Sequence, residues 1–227
     1  MNSPDDVFRQ IESDRSVRES EIRLVGNIAR RTPNETERNM LFRTSVLLTY
    51  SHLEGFCKFA LSAYLAAINA LNLSSKDASL EIVAASMSEI FAALRHPQTK
   101  HEFFASALPD DTKLHLVARE REFIKNFQAA MQRPVKLPDD LIDTESNLKP
   151  IVLMKNLFKL GLDYKSVEPH KATVNKLLGV RNAIAHGDSL KIPKEEEIDE
   201  YVATTFGIMS FVQREVYTAL KQGTFRT

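Results

Sequence analysis

The chain has a single cysteine, Cys57, among its 227 residues. One thiol excludes an internal disulfide framework and any zinc site built from paired cysteines, so a reducing cytoplasm is the expected compartment. Excess charge is missing too, since 30 Lys and Arg balance 30 Asp and Glu. A neutral chain lacks the global positive field of a nonspecific duplex-DNA coat, and any nucleic-acid contact must therefore be local. No apolar run approaches the roughly 18–20 residues that span a bilayer, and the opening stretch MNSPDDVFRQIESDR is charged where a signal peptide is apolar. No membrane association is expected. Glycine is scarce, seven in all, and strictly alternating strands do not occur, which argues against nucleotide-binding α/β folds. There is no phosphate-cradling glycine loop and no HExxH signature, and His52, His96, His101, His115 and His170 have no metal-ligand spacing to Asp, Glu or Cys. Neither a metal nor a cofactor is expected.

What the chain does have is apolar periodicity. A hydrophobic content of 43% suffices for one substantial core. Ser3 followed by Pro4, Asp5 and Asp6 predicts a helix start, and this first helix should run to about Arg31, before the Thr32-Pro33-Asn34 break. A long helix is predicted from Glu35 to Leu73, with Val46, Tyr50, Leu53, Cys57, Ala60, Tyr64 and Ala67 at three- and four-residue steps. The stretch 74–144 changes character. It holds an apolar helix near Leu80–Leu94, a charged helix over Asp111–Gln132, and Pro97, Pro109, Pro134 and Pro138, and it reads as a mostly helical insertion into a single domain. Ser146 and Asn147 form a candidate cap for a short helix through Leu160, stopped at Gly161. A helix over Pro169–His186 should end at Gly187, and the last begins at Pro193 with an acidic first turn, turning Ile198, Val202, Met209, Val212 and Val216 inward.

The Pro169–Gly187 helix carries the chemistry. With about 100° per residue, Val174, Leu177, Leu178, Val180, Ile184 and Ala185 share one apolar arc, while Asn175, Asn182 and His186 lie on the adjacent polar face. Arg181 falls inside the apolar arc, where an unpaired guanidinium is costly. A structural ion pair with Glu54 would account for it. The functional account uses RNA: a neutral imidazole at His186 takes the proton of a ribose 2′-hydroxyl, and Arg181 holds the adjacent phosphate by a forked contact and stabilises its growing charge. Asn182 would orient His186 or the scissile group. Lys171 and Lys176 add a local positive bias for substrate binding, with no acid between Pro169 and Gly187. Glu54 and Lys58 are spaced for a helical ion pair, though Glu54 could instead hold Arg181 ready. Tyr50 is either core stripe or base-stacking platform.

Arg181-Asn182-Ala183-Ile184-Ala185-His186 resembles the signature of the HEPN superfamily, in which an arginine and a following polar residue precede a histidine at a short spacing. Tyr50-Ser51-His52-Leu53-Glu54-Gly55-Phe56-Cys57-Lys58 is similar to a segment of stand-alone bacterial MAE-type HEPN proteins, and so are Ser146-Asn147-Leu148 and Leu160-Gly161-Leu162. The resemblance implies an all-α, HEPN-like antiparallel helical bundle that acts as a homodimer. It also implies metal-independent cleavage of an RNA substrate to 2′,3′-cyclic phosphate ends, in a toxin–antitoxin or phage-defence system with an antitoxin or defence-system partner. The alternative is a non-catalytic HEPN module that binds a nucleotide or a protein partner in the same cleft. One ideal helix points Arg181 and His186 about 140° apart, which is the geometric motive for expecting two copies to share a cleft.

Overall fold

A computed structural model describes residues 3–96, 112–145, 147–188 and 191–227. Pro97, His101, Pro109, Asp111 and Ser146 lie outside the described residues. Among the described residues the protein is helical, with no strand beyond two isolated bridges. Helix α1 spans Pro4–Arg31, α2 Glu35–Ala70, α3 Leu80–Ser86, α4 Ser88–Arg95, α5 Thr112–Met131, α6 Pro150–Lys159, α7 Lys171–Ala185 and α8 Glu195–Gln222. No described helix is long and apolar enough to cross a membrane.

The ends of α1 and α2 follow from their caps. Ser3 Oγ accepts from the Asp6 amide at 3.1 Å and Asp6 Oδ2 accepts from the Ser3 amide at 2.9 Å, a reciprocal box that satisfies two otherwise orphan donors. Asn34 Oδ1 accepts from the Glu37 amide at 3.1 Å and opens α2. Helices α1, α2 and α8 pack against one another, and α7 lies against α2 and α8. Of the expected α2 stripe every member is buried except Ala67, which is half-buried; Tyr50, Tyr64 and Ala60 are fully buried. Each such side chain of Leu or Phe size removed from water stabilises the bundle by about 1.5–3 kcal/mol. On α8, Ile198, Met209, Val212 and Val216 face the core and Val202 is half-buried.

Several boundaries differ from the sequence expectation, among them the end of α2 at Ala70 in place of Leu73 and the start of α8 at Glu195 in place of Pro193. The single helix expected near Leu80–Leu94 is broken at Met87, which leaves helical geometry (φ −105°, ψ 15°) and thereby buries its side chain. Pro169 belongs to a 3₁₀ turn over 165–170, and the α-helix proper starts at Lys171, where the proline no longer removes an intrahelical donor. Asn147 does not cap α6: Lys149 occupies that position, without a side-chain bond, and Pro150 pre-sets the first turn. Between α2 and α6, α3 packs on α6, whereas α5 makes its main packing contact with α4.

Candidate active site

Helix α7 ends in a Schellman motif. The Gly187 amide donates to the Ile184 carbonyl at 3.1 Å and the Asp188 amide to the Ala183 carbonyl at 3.0 Å, with Gly187 in the left-handed region at φ +90°. His186 is the last residue before that turn and is exposed. Its amide donates to the Asn182 carbonyl at 2.9 Å, so the backbone fixes where the imidazole starts, while among the described residues the ring has no hydrogen-bond partner. Beyond the glycine, Arg43 of α2 takes hold of the chain: its Nη1 donates to the Asp188 carbonyl at 2.6 Å and lies 3.4 Å from the Lys191 carbonyl.

Arg181 sits one and a half turns earlier on the inward arc, half-buried. Its guanidinium carbon stands 4.8 Å from the centre of the Tyr50 ring, a cation–π distance. Nη1 donates to Asn182 Oδ1 at 2.8 Å and to Asn147 Oδ1 at 3.1 Å. Tyr50 is wholly buried, and burial, with the Glu54 charge adding, pushes its phenol up to about 12 although the Leu148 backbone and Arg181 act in the other direction. It is therefore a neutral aromatic floor for the guanidinium near neutral pH.

The segment thus holds a half-buried arginine on an aromatic floor and an exposed histidine at a glycine-stopped helix end. A sequence model of the RiboL-PSP-HEPN family matches residues 13–218. The chain belongs to the RiboL-PSP-HEPN family. No curated protein and no solved structure matches it.

The other expected site residues of this HEPN chain are scattered. Glu54 is half-buried and Lys58 exposed, and they form no ion pair with each other; nor does Glu54 pair with Arg181, which bonds to the two asparagines instead. Asn182 turns its amide to Arg181 and not to the His186 ring. Lys171 pairs with Glu168 at the opposite end of α7, about 20 Å along the helix from His186. Lys176 lines a groove of about 610 Å³ between α7 and α8, together with Lys191, Glu197 and Glu200, on a side of α7 away from Arg181. Within one protomer neither lysine joins Arg181. Tyr50 is too buried to stack on a base. Among the described residues no group of three or more His, Cys, Asp and Glu is placed to hold a metal ion.

Two contributors escape the sequence reading. Asn147 looks like a helix cap because it precedes an apolar run, and only its partner 34 residues away reveals another use. Arg43 stands two turns before Tyr50 on the same side of α2, a polar position in register with Tyr50 that could have flagged it. Gly55, by contrast, serves packing: a Cβ there would meet Arg18 Nη1 at 2.7 Å, so its absence lets Arg18, paired with Asp14, lie across α2.

Proposed function

We propose that this HEPN protein is a metal-independent endoribonuclease. The observation that carries the reading is that one helix presents both an accessible imidazole, His186, at its glycine-stopped end and a partly desolvated guanidinium, Arg181, earlier along it. His186 removes the proton of a ribose 2′-hydroxyl; the freed oxygen attacks the neighbouring phosphorus, the bond to the 5′-oxygen breaks, and that oxygen takes up a proton as it leaves. The products are a 2′,3′-cyclic phosphate and a 5′-hydroxyl. Arg181 holds the phosphate and offsets the charge that accumulates on its oxygens. Asn182 fixes Arg181, and Glu54 acts through the environment of Tyr50.

The active species in this reading is a homodimer. Arg181 points toward α2 while His186 faces solvent, so two copies of α7 around a two-fold axis supply one phosphate with groups that a single helix directs apart. Lys176 then contributes to RNA binding from the partner side. A place in a toxin–antitoxin or phage-defence system, with an antitoxin that covers the cleft, follows from the family reading.

A second reading has its own support: among the described residues the His186 ring has no orienting partner, as expected of a module that binds a nucleotide or protein without cleaving it. Digestion of RNA by purified protein, wild type against His186→Ala, in the presence of EDTA, decides. Cyclic-phosphate products from the wild type alone sustain the ribonuclease. Binding without cleavage by both proteins favours the second reading, and a strict requirement for a divalent ion overturns the mechanism.

A further inference from the structure

A cation on an inward-facing helix arc is ordinarily matched by a carboxylate, because desolvating a lone charge is costly. Arg181 is matched by none: among the described residues no carboxylate lies within ion-pair distance, and its partners are two amide oxygens and an aromatic face. Both hydrogen bonds leave from Nη1. The edge formed by Nε and Nη2, the edge that grips two oxygens at once, makes no hydrogen bond among the described residues, and neither atom is among the buried unpartnered ones. The guanidinium is thus held at one corner and open along the forked edge.

Asn147 is the partner brought from farthest away. Its backbone is tied down on both sides, the amide donating to the Thr144 carbonyl at 2.9 Å and the carbonyl accepting from the Lys149 amide at 2.8 Å. Its side chain caps no helix, which leaves the amide oxygen to Arg181. For stability alone, aspartate in this position would serve better, since a charged acceptor makes a hydrogen bond roughly twice as strong as a neutral one. The neutral isostere keeps the geometry and spares the charge.

We infer that Asn147 is a positioning residue that aims the Arg181 guanidinium while leaving its positive charge uncompensated, so that a phosphate dianion or phosphodiester takes the open edge. The inference rests on the reading of Arg181 as the phosphate-binding group.

The test compares Asn147→Asp with Asn147→Ala. If Asn147 only braces the fold, aspartate, which retains shape and acceptor, must be the milder change. If it spares charge, the order inverts. Asn147→Asp then melts at or above the wild-type temperature, yet binds inorganic phosphate about tenfold more weakly or worse, because its carboxylate competes for the same cation. Asn147→Ala, which frees the guanidinium to swing without neutralising it, loses less. Phosphate binding is followed on the side-chain nitrogen resonance of Arg181, assigned with Arg181→Lys, and the same three proteins are assayed for kcat and KM on RNA. A phosphate affinity lowered more by alanine than by aspartate overturns the inference even if the wild type cuts RNA. The inverted order in a wild type that cuts no RNA upholds it and removes the ribonuclease reading instead.

Discussion

The two ends of the Arg181–His186 segment are held in opposite ways. Arg181 is gripped by side chains from elsewhere in the fold, the Tyr50 ring below it and Asn147 beside it, so its position is a tertiary property. His186 is placed by backbone alone, through the Schellman bonds and the Arg43 contact beyond them, and its ring projects into solvent. In the ribonuclease proposal this difference divides the labour: the protomer would preorganise the cation, and the geometry of the His186 imidazole would be finished by what docks on it. For the ribonuclease proposal, that is RNA together with a second copy.

The sharpest way to break this comparison is to delete either end. His186→Ala and Arg181→Ala should each lower RNA cleavage by about 10²–10⁴-fold, the usual yield of a general base or a charge-stabilising donor, while circular dichroism stays helical. A collapse of the fold in both would reduce the segment to packing. The floor comes next. Tyr50→Ala opens a cavity under Arg181 and should cost about 3–5 kcal/mol in denaturant unfolding, whereas Tyr50→Phe keeps the aromatic face and should leave both stability and cleavage near wild type, its hydroxyl having no hydrogen bond of ordinary geometry to lose. Equal losses in the two variants would mean that the hydroxyl, and not the ring, holds the site.

Gly187→Ala tests the backbone end. Open space surrounds the missing Cβ, so the cost is conformational, about 1–2 kcal/mol for an L-residue at φ +90°, and should appear in the melting temperature. Cleavage should fall with it as His186 loses its fixed origin, and unchanged activity would show that the Schellman turn does not set the base. The smallest effect is one of pH. The Tyr50 phenol is raised by burial to about 12 in the folded chain, so unfolded protein releases this proton near pH 10 and folded protein does not. The Tyr50 contribution to stability should hold below about pH 10 and be lost between there and pH 12, giving a shallower decline over that window in Tyr50→Phe. The same slope in both would place the titration elsewhere, with Tyr64 and Cys57, whose groups burial also pushes upward, as the next sites to replace.

Much of this was legible in the sequence because it depends on neighbours along the chain. The Ser3 box, the Asn34 cap, the Gly187 stop and the α2 stripe are local, and a charged residue on an apolar arc announces itself wherever the helix is recognised. The partner of Arg181 was not legible. Charge logic nominates Glu54, but Asn147 and Tyr50 do the work, and no rule of spacing links residues that meet only when α6 and α2 fold together. The break at Met87 was equally hidden, since it is driven by burial of a side chain in a continuous apolar run. Lys176 shows the reverse error: a basic residue near the motif in sequence lies on another side of the helix in space.

Arg43 is bonded to the carbonyl oxygens of Asp188 and Lys191, groups that every amino acid possesses. Neither bond depends on which side chain stands at 188 or 191. Substitution at 188 or 191 can therefore leave these two bonds in place, and with them the course that they give the chain beyond the turn that carries the His186 ring.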